Sequence, residues 1–185
     1  FNGNIYPVNP KGGVIEGLQA YTSVLEIPGE VDLAIIVVNA KFVLSTIDQC
    51  HEKGIKGLCI ITAGFKETGK EGAEAEKQLL AKVREYGMRC VGPNCLGVVN
   101  THPDIRMDGC FAESLPERGN IGFVSQSGAL GGGILNILKD LNLGFAQFIS
   151  IGNQADVNAE TALEYWEVYD RTANVKIDNS HWNYD

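Results

Sequence analysis

The sequence predicts an α/β fold in which parallel strands alternate with helices. Continuous apolar runs, such as residues 33–38 (LAIIVV), are typical of strands buried on both faces of a parallel sheet, and a helical pattern follows each of them. The 22 glycines among 185 residues cluster where those runs end. Ligands of such sheets bind beyond the carboxyl ends of the strands, so the glycine-rich turns are candidate sites.

The first half of the chain is predicted to contain short strands joined to helices by brief turns. Strands are expected at 4–8, 33–38, 56–61 and 88–92, and helices at 40–53 and 70–86. Asn39 is the candidate N-cap of the first helix and Gly54 its stop. Thr68 and Glu71 have the spacing of a capping box for the second.

The second half repeats this alternation after a break. Residues 101–120 include Pro103 and Pro116 and have no periodic pattern, so we interpret them as an inter-domain connection. Strands are then expected at 121–125, at 145–150 and near residue 175, and helices at 127–141 and 159–168. We therefore predict two domains, residues 1–115 and 116–185, the latter with an atypical tail at 178–185.

Charge and composition argue against several classes of function. Fifteen basic and 23 acidic residues give a formal charge of −8, which disfavours binding to nucleic acid or a membrane surface. No window approaches the ~18–20 apolar residues of a membrane span, and no signal peptide is recognisable. The five cysteines form no C-x-x-C motif and the three histidines have no metal-pair spacing. We expect a cytoplasmic protein with reduced thiols and no metal site.

Residues 125–130 lead from the end of a predicted strand into a predicted helix. Unpaired N–H groups at a helix start bind anions, and Gly128 allows close approach, so this segment is a candidate phosphate site. N-capping by Ser127 alone is the alternative. A hydrolase nucleophile elbow needs glycine where Ser125 and Ala129 stand, and no Walker A motif is present.

Three glycines, Gly131, Gly132 and Gly133, lie inside the same predicted helix. Glycine destabilises a helix interior relative to alanine. We therefore expect these positions to pack closely against a neighbouring element or a ligand.

Two further turns are candidates. In the turn at 92–97, Asn94 offers both a donor and an acceptor, and Cys95 would be a nucleophile of lowered pKa if it lay near a helix start. Inert packing of Cys95 is the alternative. Lys11, in a rigid Pro/Gly turn, suits a phosphate contact, with a solvated surface lysine as the alternative.

Residues 152–160 faintly resemble a calcium loop because Asp156, Asn158 and Glu160 alternate. We reject calcium binding, because Thr161 stands where the loop needs glycine and the following residues are predicted to be helical. Capping of that helix by Asn158 explains the pattern. An NAD dehydrogenase is disfavoured because no G-x-G-x-x-G joins a strand to a helix.

Six motifs in order resemble one family. They are IYPVNPKGG, DLAIIVVNA, ITAGFKETGKEG, RCVGPNCLGVVN, GFVSQSGALGG and SIGNQADVNAETALEY. Over residues 1–177 the chain resembles the NDP-forming (ADP-forming) acetate/acyl-CoA ligases, relatives of the succinyl-CoA ligase α subunit. The resemblance implies a Rossmann-like CoA-binding domain lacking its first strand, followed by part of a flavodoxin-like domain. It also implies reversible conversion of acyl-CoA, NDP and phosphate to acid, CoA and NTP, through an acyl phosphate and a phosphohistidine.

The same resemblance implies three sets of site residues. The residues that would contact CoA, with Lys11 near a CoA phosphate, are Asn9, Pro10, Lys11, Asn39, Ala40, Thr62, Ala63 and Gly64. Those at the thiol end and acyl site would be Gly92, Pro93, Asn94 and Cys95. Those that would hold phosphate or the phosphorylated histidine are Ser125, Ser127 and Gly128.

The chain departs from the family pattern at both ends. Family members start with an earlier strand and glycine-rich turn, and continue past Ile177 into a histidine motif that His181 does not match. We therefore transfer no catalytic residue and expect a truncated portion that does not complete turnover alone. NDP or NTP with magnesium would bind only through an absent ATP-grasp part. Expected partners are CoA, a small carboxylic acid, an ATP-grasp domain or β-type subunit, and a second copy of the chain.

Two other functions stay open at this point. One is a non-catalytic CoA- or nucleotide-binding regulatory module, because similar domains are fused to protein acetyltransferases. The other is an inactive scaffold. The candidate phosphate site at 125–130 favours the ligase, since a sensor has less use for a second phosphate site.

Overall fold

The computed structural model describes residues 1–112, 117–168 and 174–178. Its elements in chain order are β1 (Val14–Ile15), β2 (Leu18–Gln19), β3 (Leu33–Ile36), α1 (Ala40–Lys53), β4 (Gly57–Ile60), α2 (Lys70–Glu85), β5 (Arg89–Val91), β6 (Gly97–Asn100), β7 (Met107–Cys110), β8 (Arg118–Ser125), α3 (Gly128–Asp140), β9 (Phe145–Ser150), α4 (Ala159–Val168) and β10 (Asn174–Asp178). Short 3₁₀ turns occupy Val24–Glu26 and Lys66–Thr68. The predicted alternation of strands and helices is confirmed.

The first sheet has the order β3-β4-β5, and all its strands are parallel. Helices α1 and α2 pack on it, and Val43, Ile47 and Leu79 are fully buried in the core between helices and sheet. As predicted, Asn39 caps α1 by accepting the Lys41 N–H, and Gly54 ends it with φ 89°. The carboxyl ends of the three strands therefore meet at one edge of this sheet.

The second sheet has the order β10-β8-β9-β6-β7. Strands β10, β8 and β9 are parallel, whereas β6 runs antiparallel to both β9 and β7. Helix α3 packs on one set of sheet side chains, including Phe123 and Phe148, and α4 on another, including Val124 and Ile151. This part is therefore a sheet with helices on both faces.

Three sequence predictions were wrong. Residues 4–8 form no strand, only an isolated bridge between Val8 and Tyr21. Ile5 stays 60% exposed, and Pro7 has no N–H to donate to a ladder. The expected connection at 101–120 contains β7 and the start of β8, which the pattern missed because MDGC has no apolar run. Helix α2 has Gly69 as its N-cap with no side-chain cap, because the Thr68 hydroxyl donates instead to the Phe65 carbonyl.

The predicted domain boundary at 115/116 falls within residues 113–116, which lie outside the described residues, and it stays a prediction. Of the tail predicted at 178–185, Asp178 is the last residue of β10, and residues 179–185 lie outside the described residues. None of the described helices has the length and apolar character needed to cross a membrane.

The glycines of α3 differ in what surrounds them. A Cβ built at Gly131 would lie 2.9 Å from Cζ of the buried Phe148, whereas one at Gly132 would lie 3.9 Å from Leu96. Nothing lies within 4 Å of a Cβ at Gly133. Close packing therefore explains Gly131, and nothing in the structure explains Gly133.

Candidate functional site

A cavity of about 880 Å³ opens at the carboxyl ends of strands from both sheets. Its wall is built by segments that follow β4, β5, β8 and β9, with two residues after β7 and four from α3. The lining residues are Glu67, Asn94, Cys95, Leu96, Phe111, Ala112, Gln126, Ser127, Gly128, Ala129, Gly132, Asn136, Gly152 and Asn153. Two predicted groups, the acyl/thiol residues Asn94 and Cys95 and the phosphate residues Ser127 and Gly128, therefore share one cavity.

The segment after β8 starts helix α3 at the cavity wall. The Ser127 hydroxyl accepts the Leu130 N–H at 3.3 Å, so the capping alternative is observed. The N–H groups of Gly128 and Ala129 belong to the first helical turn, where no partner within the helix exists. Ser125 is fully buried behind the wall, and its hydroxyl donates to the Ser127 carbonyl at 2.8 Å. Capping thus holds the turn and leaves N–H groups at the cavity for an anion.

The turn after β5 is held by backbone bonds to the second sheet's loops. The Pro93 carbonyl accepts the Asn153 N–H at 2.8 Å, and the Gly92 carbonyl accepts the Ala155 N–H at 3.1 Å. A Cβ at Gly92, which has φ 96°, would lie 2.4 Å from the Ile60 carbonyl oxygen. Only glycine fits there without displacing the strand. These bonds place Asn94 and Cys95 at the cavity.

The turn that holds Cys95 begins no helix of its own, because it leads directly into β6. The Cys59 sulfur lies 3.9 Å from that of Cys95, and the contact between the two thiols lowers the pKa of Cys95 although burial opposes this. The predicted direction of the pKa shift was right, and the predicted cause was wrong. Cys59, in β4, was not singled out from the sequence.

The predicted CoA contacts at the ends of β3 and β4 lie side by side. The Thr62 hydroxyl donates to the Val38 carbonyl at 2.7 Å, just before Asn39 caps α1. A Cβ at Gly64 would lie 3.0 Å from that of Ala40. The Thr62 carbonyl also accepts the Asn94 N–H at 3.0 Å, which links this group to the turn at the cavity. Ala63 is exposed between them.

The predicted contacts in the loop at 9–11 are held differently. The Asn9 side chain accepts the Lys11 N–H at 2.9 Å, and the Asn9 N–H donates to the Tyr21 carbonyl at 2.9 Å. Pro10 and Lys11 are exposed. These bonds shape the loop and tie it to Tyr21, and its approach to the ends of β3 and β4 stays a prediction.

A polar network at the cavity edge escaped the sequence analysis. The Asn153 amide donates to Glu67 at 2.6 Å and to Glu76 at 2.7 Å, and it accepts from the Asn94 amide at 3.3 Å. Lys66 Nζ donates to the Asn153 carbonyl. Burial raises the pKa of Glu67, but bonds from Asn153 and from the N–H groups of Gly64 and Phe65 outweigh it and lower that pKa. Glu67 and Asn153 stood in quoted motifs, but nothing there pairs residues 86 positions apart.

The residues that the structure describes provide no cluster of metal ligands. Within residues 1–112, 117–168 and 174–178, no three His, Cys, Asp or Glu side chains are grouped to hold a metal ion. In the rejected calcium loop, the Asn158 side chain accepts the Thr161 N–H at 2.8 Å and caps α4. Asp156 instead pairs with Arg89, its Oδ2 lying 2.8 Å from the Arg89 Nε.

Two family matches cover most of the chain. Residues 2–101 match the CoA binding domain, and residues 118–177 match the succinyl-CoA ligase like flavodoxin domain. The expected α/β class, a Rossmann-like CoA-binding part followed by a flavodoxin-like part, is thereby confirmed.

Three relatives illustrate the similarity, and each of them is longer than this chain. The α subunit of ADP-forming acetate–CoA ligase II from Pyrococcus furiosus is 51% identical over 163 residues, which are 88% of this chain and 35% of the relative. A solved structure from Pyrococcus horikoshii OT3 is 47% identical with a TM-score of 0.90, covering 95% of this chain and 40% of that one. The dinucleotide forming acetyl-coenzyme A synthetase 1 of Ca. Korarchaeum cryptofilum, in complex with phosphate and ADP, is 36% identical with a TM-score of 0.90, covering 96% and 37%. The chain thus spans little more than a third of these relatives.

Proposed function

This chain belongs to the CoA binding domain family. We propose that it is the CoA-binding and phosphate-handling portion of an acid–CoA ligase that forms NTP. The reaction would convert acyl-CoA, NDP and phosphate to acid, CoA and NTP. One observation carries the proposal: the turn with Asn94 and Cys95 and the helix start with Ser127 and Gly128 border the same cavity. A thioester and a phosphate can therefore meet there.

CoA would lie along the ends of β3 and β4 with its thiol reaching the cavity. Support comes from contacts that join the end of β3 to the cavity: Val38 contacts Thr62, Ala40 lies beside Gly64, and Thr62 contacts Asn94. Because Gly64 has no side chain, the surface beside Ala40 stays open to a ligand. A Cβ at position 64 would lie 3.0 Å from that of Ala40. Lys11 would bind a CoA phosphate from the loop tied to Tyr21.

Phosphate would bind at the start of α3. The first-turn N–H groups and the partial positive charge of the helix start favour an anion there, and no side-chain cation is needed. The acyl group would be transferred from the CoA sulfur to this phosphate. Gly128 lets the acyl phosphate approach the backbone closely.

The remaining chemistry would need a partner. We propose that an ATP-grasp domain or β-type subunit binds NDP or NTP with magnesium, and that a second copy of the chain can associate. The name of the Pyrococcus furiosus relative as an α subunit supports a partner subunit. We also propose that the protein acts in the cytoplasm and that its acyl group is that of a small carboxylic acid, which is the product when NTP forms and the substrate in the reverse direction.

Calorimetry with CoA tests the CoA site. Lys11→Ala is expected to weaken CoA binding about tenfold, the loss of one charge-assisted phosphate contact, and to affect desphospho-CoA less. Lys77→Ala, an exposed lysine on α2, is the matched control. Equal losses for both ligands contradict the role of Lys11, and no CoA binding by the wild-type chain overturns the proposal.

Phosphate titration followed by NMR tests the second site. Ser127→Asp keeps a capping acceptor for the Leu130 N–H, so α3 stays stable, but its carboxylate repels an anion. We expect this variant to lose phosphate binding at the Gly128 and Ala129 N–H signals while CoA affinity is unchanged. Shifts of the same size in wild type and variant contradict the site. CoA binding without any phosphate binding would favour the regulatory module instead.

A coupled assay tests whether the chain can complete the proposed reaction without a partner. With acetyl-CoA, ADP and phosphate, the 185-residue chain alone is expected to release no ATP, because the proposal assigns nucleotide binding to a partner. ATP formation by the chain alone would contradict that division of labour.

A further inference from the structure

Two buried thiols from different segments lie against each other beside the cavity. Cys59 in β4 is fully buried and Cys95 is 4% exposed, and their sulfur atoms are 3.9 Å apart. Cys95 also lines the cavity, so this sulfur pair lies one side chain behind its surface. A disulfide needs a separation near 2.05 Å, so the two sulfurs must approach by about 2 Å for the bond to form.

The other cysteines do not share this position. Cys90 is the register partner of Leu58, and both lie in the core on the α1 and α2 side of the first sheet. Successive strand residues point to opposite faces, so Cys59 points away from that core and toward the turn. Cys50, in α1, lies in that core too. Cys110 stands on β7 opposite Gly97 and packs with the second core.

We propose that Cys59 and Cys95 form a redox modification site, at which a hydroperoxide small enough to enter the cavity oxidises the pair to a disulfide. This inference goes beyond the proposed function and does not depend on it.

The chemistry balances with the hydroperoxide as the only oxidant. The Cys95 thiolate attacks the outer peroxide oxygen, the O–O bond breaks, and the alcohol (water, for hydrogen peroxide) leaves with a proton. Cys95 is then a sulfenic acid. The Cys59 sulfur attacks that sulfur, the S–O bond breaks, and water leaves with the Cys59 proton as the S–S bond forms. A dithiol reductant reverses the oxidation.

The two sulfurs are suited to different parts of this sequence. Cys95 lines the cavity, where the oxidant enters, and its contact with the Cys59 thiol lowers the pKa of Cys95. Cys59 is not among the described residues that line the cavity. Its contact with Cys95, together with burial, raises the pKa of Cys59. Cys95 is thus the attacking residue and Cys59 the resolving one.

Peptide mapping tests the proposal. The reduced native chain is treated with hydrogen peroxide, blocked with iodoacetamide, denatured and digested with trypsin. Cleavage after Lys56, Lys66, Arg89 and Arg106 releases Cys59 on residues 57–66, and Cys90 and Cys95 together on 90–106. We expect these two peptides to be linked, with fragmentation placing the bond on Cys95, and dithiothreitol to separate them.

Matched serine variants assign the bond. Cys95→Ser is expected to abolish the link and Cys90→Ser to retain it, with folding checked by circular dichroism. If Cys95→Ser does not fold, Cys59→Ser serves in its place and is expected to leave 90–106 unlinked. The proposal is overturned if the link survives Cys95→Ser, or if oxidised wild type carries both cysteines unlinked. Because the readout is mass, CoA binding does not affect it, and failure here is distinct from failure of the proposed function.

Discussion

The side-chain amide of Asn153 donates a 2.7 Å hydrogen bond to the carboxylate of Glu76, 77 positions away in the sequence. Asn153 follows β9 of the second sheet, whereas Glu76 belongs to a helix that packs on the first. The same amide group donates to Glu67 at the cavity edge. A neutral donor thus separates two carboxylates and joins the two sheets at the candidate site.

Asn153→Asp is expected to destabilise the chain by roughly 2 kcal/mol at pH 7, because each carboxylate loses one of its donors and faces a third acidic group. The loss of stability should be smaller in acid, where a protonated carboxyl group can again donate a hydrogen bond. Urea denaturation at pH 7 and pH 4 measures it. Asn158→Asp is the control, since aspartate keeps the oxygen that caps α4, and little change is expected there. Equal effects of the two variants would contradict the role of Asn153.

Glu67→Gln is expected to lower stability in a pH-dependent way. The pKa of Glu67 lies below its ordinary value of 4.5 in the folded chain. Its ionised form therefore stabilises the fold above that ordinary value, and the contribution is lost as pH falls through the folded pKa. Because the side chain is solvent-screened, we expect less than about 1 kcal/mol at pH 7 and a difference from wild type that shrinks as the pH falls below 4.5. Glu30→Gln, at an exposed position, should show no such convergence, and a gap that persists in acid rules out the explanation.

Local signals in the sequence predicted most of the helices and strands. Asn39 and Gly54 mark both ends of α1, and the apolar runs of β4 and β9 reveal buried strands. Strand β7 escaped because its residues carry no apolar pattern, and it exists through pairing with β6, whose direction no local signal encodes. A local apolar pattern therefore predicts strands and helices that bury their own side chains. It misses a strand such as β7, which forms only because a neighbouring strand pairs with it.

In the candidate site too, the sequence predicted the residues that local patterns mark and missed those that depend on distant contacts. Ser127 and Cys95 follow strands in glycine-rich turns, so their meeting at one edge follows from the fold class. Cys59 and Asn153 matter through contacts with residues 36 and 86 positions away, and only packing in three dimensions brings these groups together.

Asp156→Ala is expected to destabilise the chain more than Arg89→Ala. Asp156 accepts from both the Arg89 guanidinium at 2.8 Å and the Cys90 N–H at 3.0 Å. The Asp156 side chain is 8% exposed and that of Arg89 61% exposed. Removing the carboxylate leaves a buried N–H without this acceptor, a loss of about 1–3 kcal/mol, whereas the exposed arginine contributes little. Urea midpoints of both variants decide the order, and the reverse order would mean that the ion pair outweighs the backbone bond.

Gly131→Ala and Gly133→Ala form a pair with opposite expected signs. The new methyl at 131 would lie 2.9 Å from the buried Phe148 ring, which is enclosed and unable to yield, so we expect a loss of about 1–3 kcal/mol. At 133 the methyl meets open space, and alanine is better than glycine in a helix by about 0.5–1 kcal/mol, so the melting temperature should rise. Thermal unfolding of both variants separates the packing effect from helix propensity, because the propensity gain is common to the two sites. A rise at both positions would show that α3 is not packed on Phe148 as closely as the 2.9 Å distance requires.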